Sequence, residues 1–191
     1  LRTMRIQDLN VLPEEQVFAL LTNTANNERS YLELQHRIAS GEIRDIDVYA
    51  SPFELPEGRF VHAIVIDVTG RREGALRYRA LFEQSNDAVF ILDLEGRHLQ
   101  VNQRAADMLG YSPDELVGLS LSKIVNPNEV RLGFNVLERI LAGEQIPPYQ
   151  RTFRRKDGTD LSAEVNVEAV RGRDGTPLHI QSIVRDISER R

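Results

Sequence analysis

Along residues 161–168, apolar Leu161, Ala163, Val165 and Val167 alternate with polar Ser162, Glu164, Asn166 and Glu168. Strict period-two alternation predicts a strand with one face on a core and the other in water. Asp157-Gly158 precedes this stretch and Arg173-Asp174-Gly175 follows it. An Asp-Gly pair favours a two-residue type I′ turn, whose central residues both need positive φ. With a strand from Leu178 to Ile187, the tail from Tyr149 onward predicts a three-stranded antiparallel meander. It ends in a charged exit, Asp186-Ile187-Ser188-Glu189-Arg190-Arg191.

The other end of the chain has the same order. Leu1, Met4, Ile6 and Leu9 form a short apolar set, and Pro13-Glu14-Glu15 opens a helix that runs to about Asn27. Strands are expected over Tyr31–Ile38, Ile43–Tyr49 and Phe60–Val68, with Ser40-Gly41 as a turn and Pro52–Gly58 as a loop. The last strand ends Asp67-Val68-Thr69-Gly70-Arg71-Arg72. Asp67, Thr69, Arg71 and Arg72 align with Asp186, Ser188, Arg190 and Arg191 at an offset of 119 residues. Gly41, Asp47 and Val48 align with Gly158, Glu164 and Val165 at 117, and Leu1, Met4, Ile6 and Leu9 with Leu116, Leu119, Leu121 and Ile124 at 115. The offset drifts only in turns and loops, where insertions are tolerated. Residues 1–72 therefore read as the back portion of a unit whose complete copy runs from about 78 to 191. The first copy's front two strands are missing from this stretch, which leaves a sheet edge that a second chain or the connector should cover. Residues 73–84, rich in Arg, Glu, Leu and Ala, predict a connector helix, either a solvated linker or a signal-carrying, dimerising one.

Within the complete copy, Tyr78–Gln84 predicts a helix that packs Leu81 and Phe82. A hairpin follows, Ala88–Asp93 and Arg97–Val101 around Leu94-Glu95-Gly96. Asn102 is placed to cap a helix that Gly110 ends. Ser112-Pro113-Asp114-Glu115 is a capping box, and Asn126-Pro127-Asn128-Glu129 repeats that logic before a longer helix over Val130–Leu141. That helix is expected to put Val130, Phe134, Leu137 and Leu141 on one face.

Composition narrows the function. Of 191 residues 41% are hydrophobic and 28% charged, the balance of a globular chain. The net charge of −5 and dispersed basic residues point away from nucleic acid. There is no cysteine, which excludes disulfides, thiolate nucleophiles and cysteine-linked flavin chemistry. No apolar run reaches the roughly 18 residues of a membrane span. The phosphate-binding G-x-x-x-x-G-K-[ST], the dinucleotide G-x-G-x-x-G and the zinc H-E-x-x-H patterns are all missing. Asp45/Asp47 and Asp114-Glu115 read as an exposed strand face and a helix first turn.

Two strands, short helices, a long helix and three strands predict an α+β fold, a five-stranded antiparallel sheet with helices on one face. Together with Asp93-Leu94-Glu95-Gly96, Asn102-Gln103-Arg104-Ala105-Ala106, Leu109-Gly110-Tyr111-Ser112 and the Asp-Ile-Ser-Glu-Arg-Arg exit, this order resembles the PAS sensor family. The resemblance covers residues 78–191, and residues 1–72 look like the final helix and three strands of a preceding PAS unit. It implies a signal-transduction module, sensing a small molecule or binding a partner, that relays through flanking helices. The output domain would lie beyond Arg191 and be a histidine kinase or a diguanylate cyclase. By resemblance, Asp67, Thr69, Asp186 and Ser188 tie each last strand to its linker.

The resemblance also locates a cofactor, where one is held, between sheet and long helix. Candidate lining residues are Phe134, Leu137, Arg151, Phe153, Leu161, Ala163, Val165, Ile180, Ser182 and Val184. A mostly aliphatic set is also what a filled core needs, so no cofactor is required. Haem lacks a histidine on the long helix, and non-covalent flavin stays open. The alternatives to a sensor are a ligand-free dimerisation spacer and, more distantly, an enzyme. Expected partners are a second copy of the chain and the output domain, in the cytoplasm, with any membrane anchor elsewhere in the parent protein.

Overall fold

The hairpins that the glycine pairs predict all form, with a turn of another type. Arg155 N donates to Thr159 O (2.9 Å) and Gly158 N to Arg155 O (3.0 Å). Gly158 has φ 86°, and no non-glycine residue among those described has positive φ. Asp157 therefore stays at negative φ, which excludes type I′ and leaves a three-residue turn with glycine in the left-handed position. The Asp157 carboxylate favours this arrangement by accepting from Thr159 N at 2.9 Å. The same backbone pattern recurs at Gly41, Gly96 and Gly175.

The computed structural model describes residues 5–26 and 30–188, and the chain divides into two units, residues 1–78 and 79–191. Leu1, Met4, Asn27, Arg190 and Arg191, which carry parts of the sequence expectations, lie outside the described residues. In the first unit a single turn α1 (Ile6–Leu9) and α2 (Glu14–Asn26) precede the antiparallel sheet β1 (Ser30–Arg37), β2 (Ile43–Leu55), β3 (Gly58–Asp67), in that spatial order. Ile46, Val48 and Ala50 of β2 bury their side chains with Leu32, Leu34 and Val61 around them. α2 adds buried Val17 and Thr24.

Of the loop expected over Pro52–Gly58, only Pro56 and Glu57 form a turn, and the rest is strand. β2 runs on to Leu55, Pro52 pairs with Val61, and Phe53 stacks on Phe60 at 5.7 Å. Asp47, expected on an exposed face, is only 4% exposed. Arg71 and Arg72 each reach it at 3.1 Å.

α3 (Thr69–Glu83) starts directly after β3, so the separate helix expected from Tyr78 is its last part. Phe82 is buried there, while Leu81 is exposed. The second unit continues with β4 (Ala88–Leu92), β5 (His98–Val101), α4 (Gln103–Leu109), α5 (Pro113–Leu116), α6 (Val130–Leu141), β6 (Tyr149–Arg154), β7 (Asp160–Arg171) and β8 (Pro177–Asp186). Its five-stranded antiparallel sheet has the order β5-β4-β8-β7-β6. One core joins the sheet to the helical segment, with Phe90, Leu109, Leu116, Ile124, Leu161 and Ile180 among the fully buried side chains. Ser112 and Glu115 form the capping box with Pro113 inside it. Gly110 ends α4 at φ 74°.

The internal repeat is visible in the strand registers. Glu33 faces Asp47 as Gln150 faces Glu164, and Ile46 faces Asp67 as Ala163 faces Asp186. The bond that closes each meander is also the same. Val68 N donates to Asp45 O (2.9 Å), and Ile187 N donates to Ser162 O (3.1 Å).

Candidate functional site

Between the second unit's sheet and α6 lies a cavity of about 40 Å³. Of the sequence candidates, Leu137, Arg151, Phe153, Val165, Ile180, Ser182 and Val184 line it. Leu161 and Ala163 are fully buried core residues outside that lining. Phe134 is misplaced by the sequence reading: it is 37% exposed and stands away from the cavity.

The reason is the phase of α6. The buried positions are Gly133, Val136, Leu137 and Ile140, spaced three, one and three residues apart as one face of a 3.6-residue helix requires. A count of large apolar side chains selects Val130, Phe134, Leu137 and Leu141 instead, because glycine contributes nothing to it. Gly133 faces inward because the Arg151 guanidinium occupies that space. A Cβ at 133 would lie 2.8 Å from Arg151 Nη2 and 3.1 Å from a Leu121 methyl.

Arg151, on β6, is 9% exposed. Its guanidinium lies 5.5 Å from the centre of the Tyr149 ring. Its closest carboxylate, Glu129, stands 3.9 Å from Nε. Glu129 was expected to reach back and complete a capping box before α6. Instead its carboxylate accepts from Thr152 N at 3.0 Å. Arg151 Nε and Nη2 are buried and have no hydrogen-bond partner.

The sequence reading passed over His98, which stands at the start of β5. It is 2% exposed, lines the cavity, and its ring centre is 5.5 Å from that of Phe90. Its Nδ1 lies 2.6 Å from Leu119 O, so Nδ1 carries the proton and donates. Burial holds the imidazole below its ordinary 6.5, against smaller opposing effects from that hydrogen bond and from Asp93. Alternation in β5 could not have signalled this, because the two buried positions, His98 and Val101, are three residues apart and the pairing with β4 skips Leu99 at a bulge.

Polar ties hold the two ends of this unit. Asn102 is fully buried and uses its whole amide. Its Oδ1 accepts from Val89 N and Ala105 N, each at 2.9 Å, and its Nδ2 donates to Phe82 O (3.0 Å) and Asp87 O (3.1 Å). The N-cap read from sequence is therefore also the fastening of the end of α3. Glu83 adds to it by accepting from Gln103 N at 3.0 Å. Asp87 takes Arg185 of β8 in both oxygens, at 3.0 and 2.8 Å, which holds its carboxyl below the usual range. At the exit, Ser188 N donates to Asp186 Oδ1 at 2.8 Å. The first unit repeats this turn, with Thr69 N donating to Asp67 Oδ1 at 2.9 Å, and adds Asp45 N donating to Thr69 Oγ1 at 2.9 Å.

A cavity of this size does not admit a haem or flavin ring system, for which pockets of roughly 300–1,000 Å³ are usual. Among the described residues, no group of three or more His, Asp or Glu is placed to hold a metal ion. No helix among them is long and apolar enough to cross a membrane.

Comparison with known proteins agrees with this architecture. A family profile described as PAS fold matches residues 76–187. The chain is 30% identical over 119 residues to the probable diguanylate cyclase DgcE of Escherichia coli, covering 61% of this chain and 11% of that protein. It is 28% identical over 116 residues to the sensor histidine kinase TmoS of Ectopseudomonas mendocina, covering 60% and 12%. It thus spans only about a tenth of the length of these relatives. Among solved structures, a domain of the sensory box sensor histidine kinase/response regulator from Geobacter sulfurreducens superposes with a TM-score of 0.52 at 31% identity, covering 62% of this chain and 99% of that one. The PAS domain of an HTR-like protein from Haloarcula marismortui gives a TM-score of 0.53 at 28% identity, covering 62% and 95%. With sheet order, helical segment and matched residues in agreement over more than half its length, the chain belongs to the PAS family.

Proposed function

We propose that the second unit is a sensory module whose occupancy is relayed through β8 to the exit and through Asn102 to α3. One observation carries this reading. Ile180, Ser182 and Val184 line the cavity from the strand that ends, two residues later, in the Asp186–Ser188 turn. A side-chain shift at the cavity is thereby a shift of the exit. Asp67 and Thr69 take the same part after β3. The output is a domain of the kind named in the relatives, a histidine kinase or a diguanylate cyclase. A ligand-free dimerisation spacer is the second reading. It is favoured by Leu76 and Leu81 of α3, which stay 67% and 71% exposed and would suit a second copy of the helix.

Val184→Ile tests the relay, because it adds one methyl group to the cavity wall. Amide exchange at Ile187 and Ser188, whose N–H groups bond Ser162 O and Asp186, should change at least threefold. Exchange there that matches the parent protein while the cavity resonances move would refute the relay.

A further inference from the structure

We propose that the cavity is a receptor site for a compact monocarboxylate, gripped side-on by the Arg151 guanidinium above Gly133. This deepens the sensory reading above and rests on it. A guanidinium keeps its charge at every physiological pH, so at nine-tenths buried it needs a counter-charge or strong acceptors. Its two unpartnered nitrogens are Nε and Nη2. Those two N–H bonds run parallel along one edge of the planar fork, the edge that takes both oxygens of a single carboxylate. Glu129 does not fill that role. At 3.9 Å from Nε it is beyond hydrogen-bond distance, and it already accepts from Thr152 N.

The surroundings select the rest of the ligand. Gly133 leaves the room that the guanidinium itself occupies, since any other residue's Cβ would lie 2.8 Å from Nη2 and push it aside. Val165 and Ile180 offer apolar wall to a short alkyl group, and Ser182 a hydroxyl. A volume near 40 Å³ limits the guest to a few heavy atoms. Arg151 is the only residue of permanent positive charge in the lining, so a second negative charge on the guest would find no partner. A short monocarboxylate satisfies all four conditions.

The test is a titration of the 191-residue chain with sodium acetate and then propionate at constant ionic strength, reading the Arg151 Nε–H signal by proton–nitrogen NMR. Acetamide serves as the neutral isostere and chloride as the salt control. A saturable acetate shift is expected, at least tenfold weaker with acetamide and lost in Gly133→Ala. Arg151→Lys should weaken binding at least tenfold. If that variant does not fold, Gly133→Ala and acetamide decide the matter. A flat response to acetate and propionate means that water alone satisfies the guanidinium, and the assignment falls. Acetamide binding as tightly as acetate also overturns it, leaving a neutral guest. Neither result bears on the Val184→Ile exchange experiment, which judges the relay separately.

Discussion

Val65 in β3 and Val184 in β8 hold the same place in the two meanders, facing Val48 and Val165 respectively. Yet Val65 is 48% exposed and Val184 only 1%. The registers agree from the exit as far as Phe53 and Val170, which includes these valines, so the difference is not in the pairing. β8 lies between β4 and β7 with the helical segment over its inner face. β3 pairs with β2 alone among the described strands. A period-two pattern thus determines which side chains share a face, whereas burial depends on elements far away in sequence. The same contrast applies to polar groups. The first unit buries Asp47 under Arg71 and Arg72, while the aligned Glu164 is exposed.

The comparison breaks most sharply at Asn102, which belongs to the second unit alone. Asn102→Ala leaves two buried N–H groups and two carbonyls without their side-chain partner, a loss of about 3 kcal/mol. Denaturant unfolding, followed by amide exchange in each unit, should show the second unit weakened and the first unchanged. Equal loss in both units would mean that their stabilities are not separate.

The next effect pairs two identical substitutions. Val184→Ala removes fully buried methyl groups and should cost about 2 kcal/mol, whereas Val65→Ala should stay within about 0.5 kcal/mol. Unfolding midpoints of the two variants provide the measurement. Similar losses would show that β3 is covered in solution, as the expected contact with a second chain or connector requires.

Much of the fold was legible because it is local. Alternation gave β7, the Ser112 box gave α5, and the offsets of 117 and 119 residues gave the repeat with its correct register. What failed was what depends on partners. Phe134 was assigned inward because the Arg151 guanidinium over Gly133 has no sequence signature of its own. Asp47 was assigned outward because its burial comes from Arg71 and Arg72, 24 and 25 residues downstream. His98 was passed over because its solvent is excluded by Gly118 and Leu119, whose backbone bonds it on both sides. Of the candidate site, alternation read Arg151, Phe153, Val165, Ile180, Ser182 and Val184 on the strands, while the helix reading placed Leu137 correctly and Phe134 not.

The smallest expected effect sharpens the comparison through pH. Burial lowers His98 in the second unit and, less completely buried, His36 in the first. Each folded state therefore resists taking a proton that the unfolded chain accepts near its ordinary 6.5. Below that pH the unfolded state binds more protons, so stability is full above it and declines as pH falls from there toward the folded-state value. The second unit should lose more than the first, since His98 is 2% exposed and His36 is only partly buried. His98→Gln, which keeps a donor for Leu119 O, should flatten the second unit's decline between about pH 7 and 5 and leave the first unit's decline intact. Unfolding midpoints at those two pH values decide it. An unchanged slope in the variant would show that the acid-side loss arises from other groups.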